Sequence, residues 1–158
     1  MPIPAHQTYS GPSNQYLNQM KYHGSKFEYE QQRDEDLMRA YRQALHESSH
    51  IHMPDIFRKV VAMPSSRFWV SEERAAVVIS AMMRGVTFPN MNPTKRKMFQ
   101  EIYNRVVCLR DRQPCLSVYE LTFEVVRQQA PQFYLTPGSA KVIISKIKKR
   151  KREKKQHS

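Results

Sequence analysis

"IFRKVVAMPSSRFWVSEERAAVVISAMMR", residues 56–84, decides the fold, because the chain spells it a second time at residues 121–149 as "LTFEVVRQQAPQFYLTPGSAKVIISKIKK". With no gap, Val60 and Val61 fall on Val125 and Val126. Phe68-Trp69-Val70-Ser71 falls on Phe133-Tyr134-Leu135-Thr136, and Val77-Val78-Ile79-Ser80 on Val142-Ile143-Ile144-Ser145. The offset is 65 residues. Upstream the match continues at an offset of 62, with Leu37, Ala40, Tyr41, Ala44 and Leu45 on Phe99, Ile102, Tyr103, Val106 and Val107. Both sets keep the i, i+3, i+4, i+7, i+8 spacing of one helix face. The change of offset places three extra residues in the second copy, around "RDRQPC". So many matches in order point to an internal duplication.

Each copy reads as three helices. They are expected over 34–47, 53–63 and 72–84, and again over 93–109, 118–129 and 137–150. Local signals set their starts. Asp34, Glu35 and Asp36 suit a helix N-terminus through the dipole. Asn92 followed by Pro93 suits an N-cap with proline at N1. Ser117 and Glu120 spell a capping box, with Leu116 and Leu121 as its hydrophobic staple. By alignment Ile51 and Ile56 repeat the staple, with His52 at the N-cap. Ser71 and Thr136 cap the third helices. A capping-box pattern at Ser25-Lys26-Phe27-Glu28 suggests that the first helix extends backwards.

The expected fold is all-α, two tandem duplicated three-helix units. The turn before the last helix of each gives a weak helix-turn-helix likeness, since it is longer than the usual three or four residues and lacks the glycine. Residues 25–85 form the first unit, 86–92 a linker and 93–150 the second unit. Residues 1–24, rich in Pro, Gln, Asn, Ser and Tyr, read as a disordered N-terminal arm, and 151–158 as a basic tail. The paired aromatics Phe68-Trp69 and Phe133-Tyr134 read as anchors for each small core, with base stacking as the sharper alternative.

Composition narrows the function. The chain is 40% hydrophobic and 25% charged, ordinary for a globular protein. Glycines number only 4, and neither a dinucleotide-binding G-x-G-x-x-G nor a phosphate-cradling Walker loop is present. No signal peptide or membrane span is legible, so a cytoplasmic protein with no membrane partner is expected. Cys108 and Cys115 belong to no C-x-x-C pair and read as unpaired thiols in a reducing compartment. The net charge is +12, and from Lys141 onward nine Lys/Arg face one acid, Glu153, leaving +4 for the rest.

Nucleic acid is the expected partner, DNA or RNA, held at its phosphates by Lys141, Lys146, Lys148, Lys149, Arg150, Lys151 and Arg152. A surface of this kind reads charge and not sequence. No catalytic residue, cofactor or metal is expected. "HESSH", His46–His50, spells the H-E-x-x-H of zinc proteases, so a zinc hydrolase built on His46, Glu47 and His50 is one alternative. Glu72 or Glu73 would supply the third ligand, and a structural metal on His46, His50 and His52 is a related option. Against these, the motif aligns with "CLRDR" at a helix end, where histidines suit the dipole without any metal. The other alternative is a protein-interaction adaptor that meets a partner through the first unit. Finally, "SSRFWVSEERAAVVIS" with "FYLTPGSAKVII" resembles a family of small uncharacterised bacterial proteins over most of the chain beyond the N-terminal arm. The resemblance implies a bacterial, cytoplasmic protein and no particular activity.

Overall fold

The computed structural model describes residues 25–157, so the expectation of a disordered arm at 1–24 lies outside the described residues. The chain is all-helical there, with no named strand. Its helices are α1 (Ser25–Glu47), α2 (Met53–Ala62), α3 (Glu72–Met83), α4 (Pro93–Arg112), α5 (Val118–Val126) and α6 (Pro137–Gln156). None of the described helices is long and apolar enough to cross a membrane.

The caps that set the helix starts are mostly those legible in the sequence. Ser71 Oγ accepts from Arg74 N at 3.2 Å, and Thr136 Oγ1 from Ser139 N at 3.1 Å. Asn92 Oδ1 accepts from Thr94 N at 2.9 Å, with Pro93 at N1. Ser117 and Glu120 close a full capping box. Each such cap satisfies a helix-end donor and contributes about 1 kcal/mol. Gly85, at φ +84°, ends α3, with its N–H on Met82 O and that of Val86 on Ala81 O. These are the two bonds of a Schellman motif, and the positive φ is what glycine supplies.

Three expectations need correction. α1 starts at Ser25, so Asp34, Glu35 and Asp36 lie inside the helix and not at its N-terminus. His52 occupies the N-cap position of α2 but makes no side-chain cap bond, and Ile51 is exposed, so no staple forms there. α6 continues through Gln156, so the basic segment from 151 is the end of a helix and not a separate tail. Lys and Arg are good helix formers, and no Gly or Pro interrupts the run between Ser139 and Gln156.

The larger difference is in packing. α3 packs on α4 and α5, and α6 packs on α1 and α2. The third helix of each expected unit therefore lies with the first two helices of the other. One core joins Leu37, Ala40, Tyr41 and Ala44 of α1, Ile56, Phe57 and Val60 of α2, and Ile144 and Ile147 of α6. The other joins Val78 and Ile79 of α3, Phe99, Ile102 and Val106 of α4, and Leu121 and Val125 of α5. Phe68 and Phe133 follow their helices across, while Trp69 and Tyr134 do not. Phe133 sits in the first core, while Phe68 sits in the second with Tyr134 stacked on it at 6.0 Å.

The connectors after α2 and α5 produce this exchange. They are extended segments that run antiparallel past each other, unlike the tight turn of a helix-turn-helix reader. Ser65 N donates to Ala130 O at 3.1 Å, and Ala130 N donates to Ser65 O at 3.0 Å. Phe68 N reaches Val126 O, and Phe133 N reaches Val61 O. These bonds satisfy backbone groups that burial would otherwise leave unpaired. Tyr134 takes a left-handed backbone at φ 55°, a conformation that costs a bulky residue about 1–2 kcal/mol. Burial of its ring against Phe68 offsets that cost.

Candidate nucleic-acid interface

The seven expected phosphate contacts all lie on α6, whose inner face is Ala140, Ile144 and Ile147. Two of them are committed within the fold. Lys148 Nζ donates to the Tyr41 hydroxyl at 2.8 Å, and Arg150 Nη2 donates to Asp34 Oδ2 at 2.8 Å. Both partners belong to α1, so these cations hold the basic helix onto the first half. The other five, Lys141, Lys146, Lys149, Lys151 and Arg152, are exposed. None has a hydrogen-bond or ion-pair partner among the described residues.

α1 gives this basic helix a mixed-charge flank. Glu30, Asp34 and Glu35 of α1 and Arg150, Lys151 and Lys154 of α6 border one cavity of 510 Å³ floored by Met38 and Ile147. Three acids of "EYEQQRDED", Glu30, Asp34 and Glu35, thus lie beside the cations of α6. Lys151 lies on this flank, so the positive face turned away from α1 is formed by Lys141, Lys146, Lys149 and Arg152.

Asp36 of α1 anchors the first connector. Its buried carboxylate accepts from Ser66 N at 2.8 Å, Ser66 Oγ at 3.0 Å, Trp69 Nε1 at 2.9 Å and Arg39 Nη2 at 2.8 Å. Burial pushes its pKa up, but the bonds from Ser66, Arg39 and Trp69 outweigh that and hold it below the ordinary carboxylate value. Its stabilising contribution is therefore complete above the ordinary pKa near 3.8 and drains away as pH falls through the lowered folded value. The expected result is an acid limb of the stability curve that steepens below about pH 4 and flattens in Asp36→Asn. Denaturant midpoints measured from pH 2 to 6 check it, and identical limbs in the two proteins would contradict it. Nearby, Arg67 and Arg127 meet Glu72 at 3.2 and 3.6 Å, and burial pushes the Tyr29 phenol up to about 12.

The zinc-protease alternative fares differently from its letters. α1 ends at Glu47, leaving His46 in its last turn and His50 beyond it, both exposed. The two imidazoles therefore do not share the single helix turn that zinc ligation by H-E-x-x-H requires. His52 Nδ1 instead faces Asp55 Oδ2 at 3.0 Å. Glu72, offered as the third ligand, is paired with Arg67. Among the described residues no group of three or more His, Cys, Asp or Glu side chains could hold a metal. Cys108 and Cys115 are free and exposed.

A second basic cluster was absent from the sequence expectations. Lys95, Arg96 and Lys97 cluster near the start of α4, where the dipole disfavours cations. That mismatch in "NPTKRK" was the available signal. Arg96 Nη2 bonds three carbonyls of the preceding linker, those of Phe88, Pro89 and Met91, at 3.2, 2.9 and 3.2 Å. Lys95 and Lys97 are exposed.

Comparison with protein-family models, curated proteins and solved structures finds no match to this chain.

Proposed function

We propose that the protein is a non-enzymatic nucleic-acid-associated protein that holds phosphates along the exposed sides of α6. The observation that carries this reading is the set Lys141, Lys146, Lys149, Lys151 and Arg152, exposed on one helix without partners among the described residues, with Glu153 the only acid of α6. A regular helix presents these cations at fixed positions, so ordering costs on binding are small. Lys148 and Arg150 act as positioning residues that seat this helix on α1.

The body beneath it reads as an internally duplicated, intertwined pair of three-helix sets. Supporting this are the paired connector bonds, in which Ser65 and Ala130, Phe68 and Phe133, and Val61 and Val126 each stand 65 residues apart. Exposure also matches across the copies, at 51% for Val77 and 52% for Val142.

If all five cations meet phosphates of a duplex, log affinity should fall against log salt with a slope of about −4.5. Between 50 and 200 mM salt that is a loss of roughly several-hundredfold. Changing the five residues to Gln should flatten the slope toward zero and leave the melting temperature nearly unchanged, since none is buried. Fluorescence anisotropy with labelled duplex and single-strand probes reads both quantities. Wild-type affinity in the five-Gln protein would sink the assignment. The adaptor reading keeps one support, the exposed Ile51 and Met53 at the α1–α2 turn.

A further inference from the structure

Of the four connector aromatics, Phe68, Phe133 and Tyr134 are buried, and Trp69 alone is half-buried. Trp69 borders a cavity of 560 Å³ between its connector, the linker before α4 and the first turn of α4. That volume lies within the range of small-molecule sites. Phe88, Met91 and Met98 supply apolar lining. The lining holds two cations, Arg74 and Lys95, and no Asp or Glu. Both cations are exposed, and neither side chain has a hydrogen-bond or ion-pair partner among the described residues. The site's charge therefore calls for an anionic occupant.

Two further features favour an occupant with a planar ring over a peptide. Trp69 is held in place, with its N–H on Asp36 and the Arg67 guanidinium 5.4 Å from its ring centre. The carbonyls of Phe88, Pro89 and Met91 in the linker wall are taken by Arg96. A docking peptide would find few backbone acceptors there, whereas a nucleobase needs an aromatic surface and side-chain amides such as Asn90.

We propose that this groove binds one nucleotide unit of a single strand, its base against Trp69 and Phe88 and its phosphate between Arg74 and Lys95. The proposal rests on the nucleic-acid reading of α6 but places a second, separate contact on the other half of the molecule. It gives the protein a preference for strands with an unpaired base, which α6 alone would not confer.

Trp69 is the only tryptophan, so all indole emission comes from a residue that borders this groove. The experiment titrates the full chain with thymidine monophosphate and a ten-nucleotide oligothymidine while following that emission, and follows duplex binding separately by anisotropy. Saturable quenching by both single-strand probes is expected. The Arg74→Gln, Lys95→Gln double variant should weaken it about a hundredfold, since each substitution removes one charge-assisted hydrogen bond to the phosphate. Duplex affinity should change far less. The five-Gln α6 variant should still show quenching by thymidine monophosphate, which separates failure of the groove from failure of α6. Three outcomes would overturn the proposal: no quenching although duplex binds, quenching unaltered in the double variant, or quenching by an acidic aromatic peptide and not by the nucleotide.

Discussion

Phe68→Ala should destabilise the protein by about 3–5 kcal/mol, the usual cost of removing a buried phenylalanine. Phe68 is fully buried at the crossing of the two connectors. Its ring stacks on Tyr134, and the Arg105 guanidinium lies 4.9 Å above it. The side chain also fixes the backbone that bonds Val126 O. Truncation would leave a cavity and remove the stacking that offsets the left-handed backbone of Tyr134. Domains of this size are commonly stable by about 5–15 kcal/mol, so the variant should approach the folding threshold. Urea unfolding followed by circular dichroism measures the loss. A change below about 1 kcal/mol would show that the connector core relaxes around the hole.

Asp36→Ala should cost a comparable amount, about 3–5 kcal/mol, for a different reason. The carboxylate satisfies Ser66 N–H, the Ser66 hydroxyl, the Trp69 indole and Arg39 together. Removing it leaves the Ser66 amide and the indole without their acceptor. Asp36→Asn keeps one acceptor oxygen and should fall between Ala and wild type. Trp69 emission should shift in both variants, because its N–H loses a charged partner. The expectation fails if Ala and Asn are equally mild.

Much of the helical content was legible, because helix starts are local. Ser71, Asn92, Ser117 and Thr136 each bond within their own first turn, so the sequence around them carries the signal. α1 starts at Ser25, where its backward extension was expected. The start at Asp34 was misread because its acids do long-range work: Asp36 holds Ser66 and Trp69 some thirty residues away. The exchange of third helices was not legible for a related reason. The i, i+3, i+4 pattern of α3 is the same whichever core receives it. The crossing of the connectors decides, through Ser65–Ala130, Phe68–Val126 and Phe133–Val61, and it joins positions that no local signal connects. On the candidate surface, the exposed cations of α6 could be read by counting charge. That Lys148 and Arg150 are occupied could not, since Tyr41 and Asp34 lie 107 and 116 positions away. "HESSH" failed as a motif at the residue where its helix stops, Glu47.

The crossed connectors also change what a cut in the chain would do. A protease that opens residues 86–92 severs the one covalent link between α1–α3 and α4–α6, yet neither piece owns a complete core. The N-terminal piece keeps α3 in the other's interior, and the C-terminal piece keeps α6 in the first's. The pieces are clasped like two links of a chain and would come apart only by losing α3 and α6 from their seats. Damage at this linker is thereby converted from a separation into a scar that the fold can carry.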